Sequence, residues 1–417
     1  MHNSIIDFLN LKEEEIETLE THSTTTELIV HLSLRKQAHP CLRCKIKTSI
    51  VKNTYTRTIN HGLFISRKCT VLYKQKRYYC PICQSSFIEP NTLVNKHQKK
   101  SLASVYHVME LLKSPHMTFK KVGELLQLST TTILDIFVSH CPDTKKTLPR
   151  VLCIDEVYLG RNATKKYVAI LMNFESMEII DVIYGRNKAA LHSYFQRISL
   201  EERETVEFLS TDMYEGFRFL QQNYLKKVKV CVDPFHVIQL ILKMFDKQIM
   251  KIMNQFEKDS IEYYLLKNKR DLLLKNAYRV DWSYRSHNRK LGYSVSNFKL
   301  RELLLEINPL LKELYEIKED YIQLNGSKSQ EEARERLEAY ILKRMHHSLP
   351  EVKRIGKTLS KWNKEIINSF TWFDNRRISN GPIESRNNII KLIIRNAAGY
   401  HNFDHLRLRI LYCINQK

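Results

Sequence analysis

The run Val151-Leu-Cys-Ile-Asp155-Glu-Val-Tyr-Leu159 is apolar on both sides of an adjacent pair of acids. Such a run reads as a buried strand. A carboxylate buried there is costly unless it has a partner, and a divalent cation is the obvious one. Neighbouring strand residues face opposite ways, so Asp155 and Glu156 cannot both enter one site. Downstream the spacing predicts strands over Tyr167–Phe174 and Glu178–Tyr184, then a helix from Asn187 to Ile198. A strand from Val206 to Ser210 runs to Asp212, and one from Val228 to Val232 runs to Asp233.

Three strands, a helix, an acid-ended strand, a helix and a fifth strand follow the order of the ribonuclease H fold. Acids on its first and fourth strands lie side by side at the sheet centre, which singles out Asp155 and Asp212. A third acid is expected from a helix. Ser379-Asn-Gly-Pro-Ile-Glu384 is a strong helix start, with Pro382 at the first position. The helix is expected to reach about Ala398, with Gly399 as its stop. At about 100° per residue, Glu384, Asn388, Lys391 and Arg395 share an arc of roughly 60°. Ile383, Ile390, Ile394 and Ala397 form a separate apolar face. A carboxylate, an amide and two cations on one stripe suit a metal ligand flanked by phosphate-holding groups.

Upstream, Cys41-Leu-Arg-Cys44 and Cys80-Pro-Ile-Cys83 form two knuckles. Four thiolates so spaced can close one tetrahedral, structural zinc site. Segments Tyr55–Thr58 and Lys68–Tyr73 between them alternate as strands do, as in a zinc ribbon. Cys69, Cys141, Cys153, Cys231 and Cys413 read as small core residues. Thr118 to Ile133 reads as a helix-turn-helix. Phe119, Val122, Leu125 and Leu126 make one face, Leu128 plugs the turn, and Ser129 or Thr130 caps a second helix. Such a helix presents its N-terminal residues, here Thr130, Thr131 and Thr132, to the major groove.

The 417 residues carry 67 Lys and Arg against 45 Asp and Glu, a net charge of +22. That surplus asks for a polyanion. Residues 35–100 hold 15 Lys/Arg and one acid, Glu89. No apolar run approaches the ~20 residues of a membrane helix. Glu13, Glu14 and Glu15 stand where a secretory signal would be apolar, so a cytoplasmic, nucleoid-associated protein with no membrane partner is expected. Double-stranded DNA is the favoured partner. The expected class is multidomain α+β. Its parts are a zinc-ribbon segment (1–97), a helix-turn-helix domain (98–147, with Pro142 and Pro149 bracketing a linker) and a ribonuclease H-like core (148–237). An all-helical insertion (238–370) and the rest of the core with the glutamate helix (371–417) follow.

Together these motifs resemble bacterial insertion-sequence transposases of the ISL-three group, in the DDE superfamily. The resemblance rests on Arg77-Tyr-Tyr-Cys80-Pro-Ile-Cys83-Gln-Ser-Ser-Phe87, Ile154-Asp155-Glu156, Ser210-Thr-Asp212-Met-Tyr214 and Asp233-Pro-Phe-His236-Val. It continues in Ser379-Asn-Gly-Pro-Ile-Glu384-Ser-Arg-Asn-Asn388 and in Ala398-Gly-Tyr-His-Asn-Phe403 before Arg407-Leu-Arg-Ile410. It implies Asp155, Asp212 and Glu384 as a catalytic triad holding two Mg²⁺ or Mn²⁺ ions about 3.5–4 Å apart. Asp233 and His236 are implied as auxiliary, with DNA contacts from Asn388, Lys391 and Arg395. The implied reaction is hydrolysis at the terminal inverted repeats, then attack of the freed 3′-OH on target DNA, by a homodimer or higher oligomer. A non-catalytic zinc and helix-turn-helix regulator, and a ribonuclease H-like nuclease without strand transfer, are the rival readings.

Overall fold

The computed structural model describes residues 2–141, 147–161 and 163–415. Pro142, and residues 142–146 of the expected helix-turn-helix domain, lie outside them. The chain forms two compact units, Met1–Thr144 with Ile389–Lys417, and Lys145–Asn388.

The first unit opens with a helix, His2–Leu9, and a five-stranded sheet. Four strands lie in the order Ile16–Ser23, Glu27–Leu34, Arg67–Tyr79, Val51–Phe64, and Ser86–Ile88 pairs with Arg67–Tyr79. Strict alternation makes the inner face: Leu28, Val30 and Leu32 face the same core as Cys69, Val71 and Tyr73. Ile5, Ile6 and Leu9 of the helix cover it. The two long strands join through Ile65-Ser66, both with positive φ (47° and 64°). Two such residues make the tight hairpin turn that right-twisted strands prefer, although a β-branched isoleucine is strained in this conformation.

Three helices follow, Leu102–Leu111, Phe119–Leu126 and Thr130–His140. Thr118 and Ser129 cap the last two through Lys121 N and Thr132 N. Gln127 at φ 53° turns the chain between them. Gly123 makes the turn tight: a Cβ there would lie 2.6 Å from the Leu128 carbonyl. Phe119, Val122, Leu126 and Leu128 pack inward, whereas Leu125, expected on that face, is 48% exposed. The core is completed by the helix Phe403–Asn415, through Tyr412. Arg409 is buried and caps the carbonyls of Leu112, Ser114 and Met117. Residues 389–415 therefore pack with the N-terminal unit, where the sequence grouped all of 371–417 with the core.

In the second unit the core strands are Val151–Tyr158, Tyr167–Asn173, Ile179–Tyr184, Phe208–Thr211 and Lys229–Val232. They lie in the order third, second, first, fourth, fifth. The first three are antiparallel neighbours, and the fourth runs parallel to the first and the fifth. Helices Lys188–Phe195 and Glu215–Asn223 pack on one face through Leu191, Phe195, Phe217 and Leu220. The fourth strand joins the first at the centre, and its last residues lie level with the middle of the first strand, where Asp155 stands.

A helix, Pro234–Met253, leaves the fifth strand and runs through the expected boundary at 237/238. Seven more α-helices reach Asn368, but the block is not all helical. A hairpin, Arg285–Asn288 with Tyr293–Ser296, interrupts it. Its core joins Phe245, Ile249, Leu311, Tyr321, Leu337 and Leu359. Among the described residues no helix is long and apolar enough to cross a membrane.

Candidate metal centre

Asp155 is the fifth residue of the first core strand and is 8% exposed. Its Oδ1 accepts from Glu156 N at 2.8 Å, and its Oδ2 from Asn387 Nδ2 at 2.8 Å. Burial, reinforced by Glu156 and Asp233, raises its pKa. Asp212 follows the fourth strand, with Oδ1 3.0 Å from Tyr214 N. Burial, with Glu156 and Asp155 nearby, pushes it up to about 6.

Asp233 ends the fifth strand and stands before the helix Pro234–Met253 without capping it through its side chain. Its Oδ1 instead accepts from Asn380 N at 2.9 Å. Its Oδ2 is buried without a hydrogen-bond partner, 3.9 Å from His236 Nε2. Burial raises this carboxyl too. His236 lowers the pKa of all three aspartates, so it lies within electrostatic reach of each.

Glu384 comes from the helix Gly381–Asn396, which starts one residue before the expected Pro382. Asn380 fixes that start. It is fully buried, takes a hydrogen bond from Ser210 Oγ at 2.8 Å and gives one to the Ile154 carbonyl at 3.3 Å. The same residue thus ties together the first strand, the fourth strand, Asp233 and, through Glu384 N (2.9 Å), the helix. Arg386 Nε adds a bond to the Met177 carbonyl at 3.2 Å. The helix ends at Asn396, short of Ala398, and the stop is made by Ala398 (φ 53°) with Gly399 N bonded to the Ile394 carbonyl.

The group of ligand atoms that closes around Glu384 is Asp233, His236 and Glu384, all within 4.8 Å of one another. Asp155 and Asp212 stand beside it and do not form a closed triplet with Glu384 at that distance. Asn388, Lys391 and Arg395 are exposed positions of the glutamate helix. The amide that reaches Asp155 is that of the neighbouring Asn387. Buried Ile383, Asn387, Ile390 and Ile393 define the inward stripe, in place of the expected Ile394. Thr130 and Thr131 are exposed, and Thr132 accepts from Ser129 Oγ at 3.0 Å.

Sequence reasoning missed Asn380, Asn387 and Arg186. The i, i+4, i+7 spacing of Ile383, Asn387 and Ile390 was the available signal for Asn387. Arg186 pairs with Glu156 and lies 4.0 Å from the Tyr167 ring centre and 4.9 Å from that of Tyr214. It holds Glu156 at the edge of the acidic cluster.

The second cluster is Cys41, Cys44, Cys80 and Cys83. Cys41 Sγ lies 3.5 Å from Cys83 Sγ, and Cys44 Sγ 3.5 Å from Cys80 Sγ. Tetrahedral zinc ligands at about 2.3 Å sit roughly 3.8 Å apart, so this cluster fits zinc. The knuckles match in backbone as well: Lys45 (φ 63°) and Gln84 (φ 58°), each following the second cysteine, are left-handed. The Cys44 N–H and then the Ser85 hydroxyl draw the Cys41 thiol down to about 6. At Cys44 the Ile46 N–H pulls the same way, but burial and the other three thiols outweigh it and push it up to about 12. Four such sulfurs ionise together only around a cation. All nine cysteines are free thiols.

A family model described as Transposase, of the DDE ISL3 type, matches residues 152–410. The chain belongs to this transposase family. The transposase for insertion sequence element IS1001 of Bordetella parapertussis is 19% identical over 394 residues, 92% of this transposase and 90% of the relative. The transposase for element IS1557 of Mycobacterium tuberculosis is 23% identical over 138 residues, 32% and 31% of the two chains. A Lactococcus lactis protein named ATP-dependent protease is 24% identical over 189 residues, 45% and 54%. The present transposase has no G-x-x-x-x-G-K-S/T phosphate loop.

Proposed function

We propose that this transposase binds the terminal inverted repeats of its insertion sequence, hydrolyses the phosphodiester there and joins the 3′-OH to target DNA. The catalytic part is proposed to be a ribonuclease H-like core in which Asp155, Asp212 and Glu384 hold divalent metal ions, Mg²⁺ or Mn²⁺. The observation that carries this reading is the gathering of three desolvated aspartates, one within the first core strand and two just past the fourth and fifth, with Glu384. The third-second-first-fourth-fifth strand order supports the fold. Carboxylates so close cannot all ionise unaided, and the donor set of hard oxygens fits a divalent ion.

Bound there, such ions would acidify a water or a 3′-OH and stabilise the leaving oxygen. The residues of the chain do the positioning. Asn387 fixes the Asp155 carboxylate, and Asn380 fixes both Asp233 and the first turn carrying Glu384. Arg377 supports the approach to that helix: it is bonded to the Ser369 carbonyl at 2.8 Å and to the Asn325 carbonyl at 2.8 Å. The helical block therefore holds the segment that leads into the glutamate helix, in keeping with an insertion that serves the core.

Thr130, Thr131 and Thr132, in a helix-turn-helix role, are assigned to end recognition. Exposed Asn388, Lys391 and Arg395 are assigned to phosphate. The cysteine cluster is assigned structural zinc, and the working form on DNA a homodimer or higher oligomer. In the test, the transposase is mixed with labelled end DNA, Mg²⁺ or Mn²⁺ and a target plasmid. Glu384→Gln should keep end binding and lose cleavage by orders of magnitude. A variant that cuts and joins at the parent rate overturns the site. Cleavage without joining by the parent would instead favour a nuclease.

A further inference from the structure

We infer that Asp233, His236 and Glu384 form a divalent-cation site with an imidazole nitrogen among its ligands, which makes this centre prefer Mn²⁺ to Mg²⁺. The inference rests on the metal-dependent reading above and names which side chains take one of the ions. Asp155 and Asp212 are left to share the other.

Asp233 and His236 stand at the start of one helix, at i and i+3, and so point the same way from its first turn. An aspartate before a helix ordinarily spends its carboxylate on the N–H groups of that turn. Asp233 does not. One oxygen is committed to Asn380 N, and the other is buried with no hydrogen-bond partner in a residue only 2% exposed. His236 Nε2 is likewise buried and without a hydrogen-bond partner. The two orphaned atoms are 3.9 Å apart, too far for a hydrogen bond. Ligands about 2.1 Å from one ion in neighbouring octahedral positions are about 3 Å apart, so a small closure would bring both to a shared ion.

Glu384 supplies a third ligand atom within 4.8 Å of both. Its helix is tied to Asp233 through Asn380, so the three donors are held by one hydrogen-bonded frame. Two carboxylates and a neutral imidazole balance a dication. Mg²⁺ favours oxygen donors and retained water, whereas imidazole suits the transition metals, among which Mn²⁺ also tolerates carboxylates.

The test is pulsed electron paramagnetic resonance of Mn²⁺ bound to the full-length, zinc-replete transposase, with Mn²⁺ and Mg²⁺ titrations alongside. The parent should show a ¹⁴N coupling that becomes a ¹⁵N coupling when all histidines are ¹⁵N-labelled. His236→Ala, or His236→Gln if the first does not fold, should abolish the coupling. It should weaken Mn²⁺ binding about 10-fold or more and Mg²⁺ binding far less. Saturable Mn²⁺ binding and metal-dependent cleavage without nitrogen coupling would overturn this inference and leave the proposed function standing. No saturable binding of either ion, with no metal-dependent cleavage, would overturn both.

Discussion

Replacing Asn380 by leucine keeps the side-chain size and removes every polar atom beyond Cβ. The parent side chain is fully buried and makes two hydrogen bonds, with Ser210 Oγ at 2.8 Å and the Ile154 carbonyl at 3.3 Å. Each is worth about 1 kcal/mol, and the stranded Ser210 hydroxyl, itself fully buried, adds about 1–3 kcal/mol. The expected loss is therefore about 3–5 kcal/mol. Adding Ser210→Ala removes the stranded hydroxyl and should restore about 1–2 kcal/mol. Tryptophan fluorescence reads this directly, because Trp282, Trp362 and Trp372 all lie within Lys145–Asn388. A urea titration of the parent, both single variants and the double variant completes the cycle. An unchanged midpoint for Asn380→Leu, or strictly additive losses, would refute the reasoning that Asn380 pins the glutamate helix to the sheet.

Four further outcomes are expected. Cys80→Ser should lose the single equivalent of zinc that metal analysis of the parent should find; retention of full zinc would exclude the four-thiolate site. Asp212, raised from 3.8 to about 6, contributes stability that is complete below about pH 4 and is lost as pH rises through about 6, on the order of 3 kcal/mol. A bound dication offsets that loss, so the melting-temperature gain from Mn²⁺ should be larger at pH 7.5 than at pH 5, and an equal gain at both would contradict it. Ile65→Asn with Ser66→Gly relieves the left-handed turn and should stabilise the N-terminal unit by about 1 kcal/mol in calorimetry, whereas destabilisation would mean the turn is not strained. Thr130, Thr131 and Thr132 changed to alanine should weaken binding to end DNA more than to random DNA; equal weakening in a gel-shift assay would assign them to packing or phosphate alone.

The core strands were legible because a short β-branched apolar run holding an acid at a fixed place fits little besides a buried strand. The strand Ile16–Ser23 was not. It is an edge strand, almost wholly exposed, and its acids and threonines give no alternation to read. The candidate acids were legible one by one, but their partners were not. Finding Asn387 as the partner of Asp155 needs the helix phase to within a residue, and the closeness of Glu384 to Asp233 and His236 depends on where residue 380 anchors. The grouping of Phe403–Asn415 with Leu102–His140 was hidden for a different reason. It depends on side-chain fit between segments nearly 300 positions apart, seen in Arg409 and Tyr412, and no local pattern carries that.

That last packing has a consequence for how the protein is made. Synthesis runs from the N-terminus at about 5–20 residues per second, and early domains usually fold as they emerge. The helices between residues 102 and 140 cannot do so fully, because Tyr412 and Arg409 complete their core and cap their carbonyls. They must wait roughly 15–60 seconds at that rate, while the second unit is built, until the stretch around residue 415 has left the ribosome. A nascent chain stopped anywhere in the second unit would present the helices between residues 102 and 140 with an open apolar face. It would be a target for chaperones and proteases before its core could close.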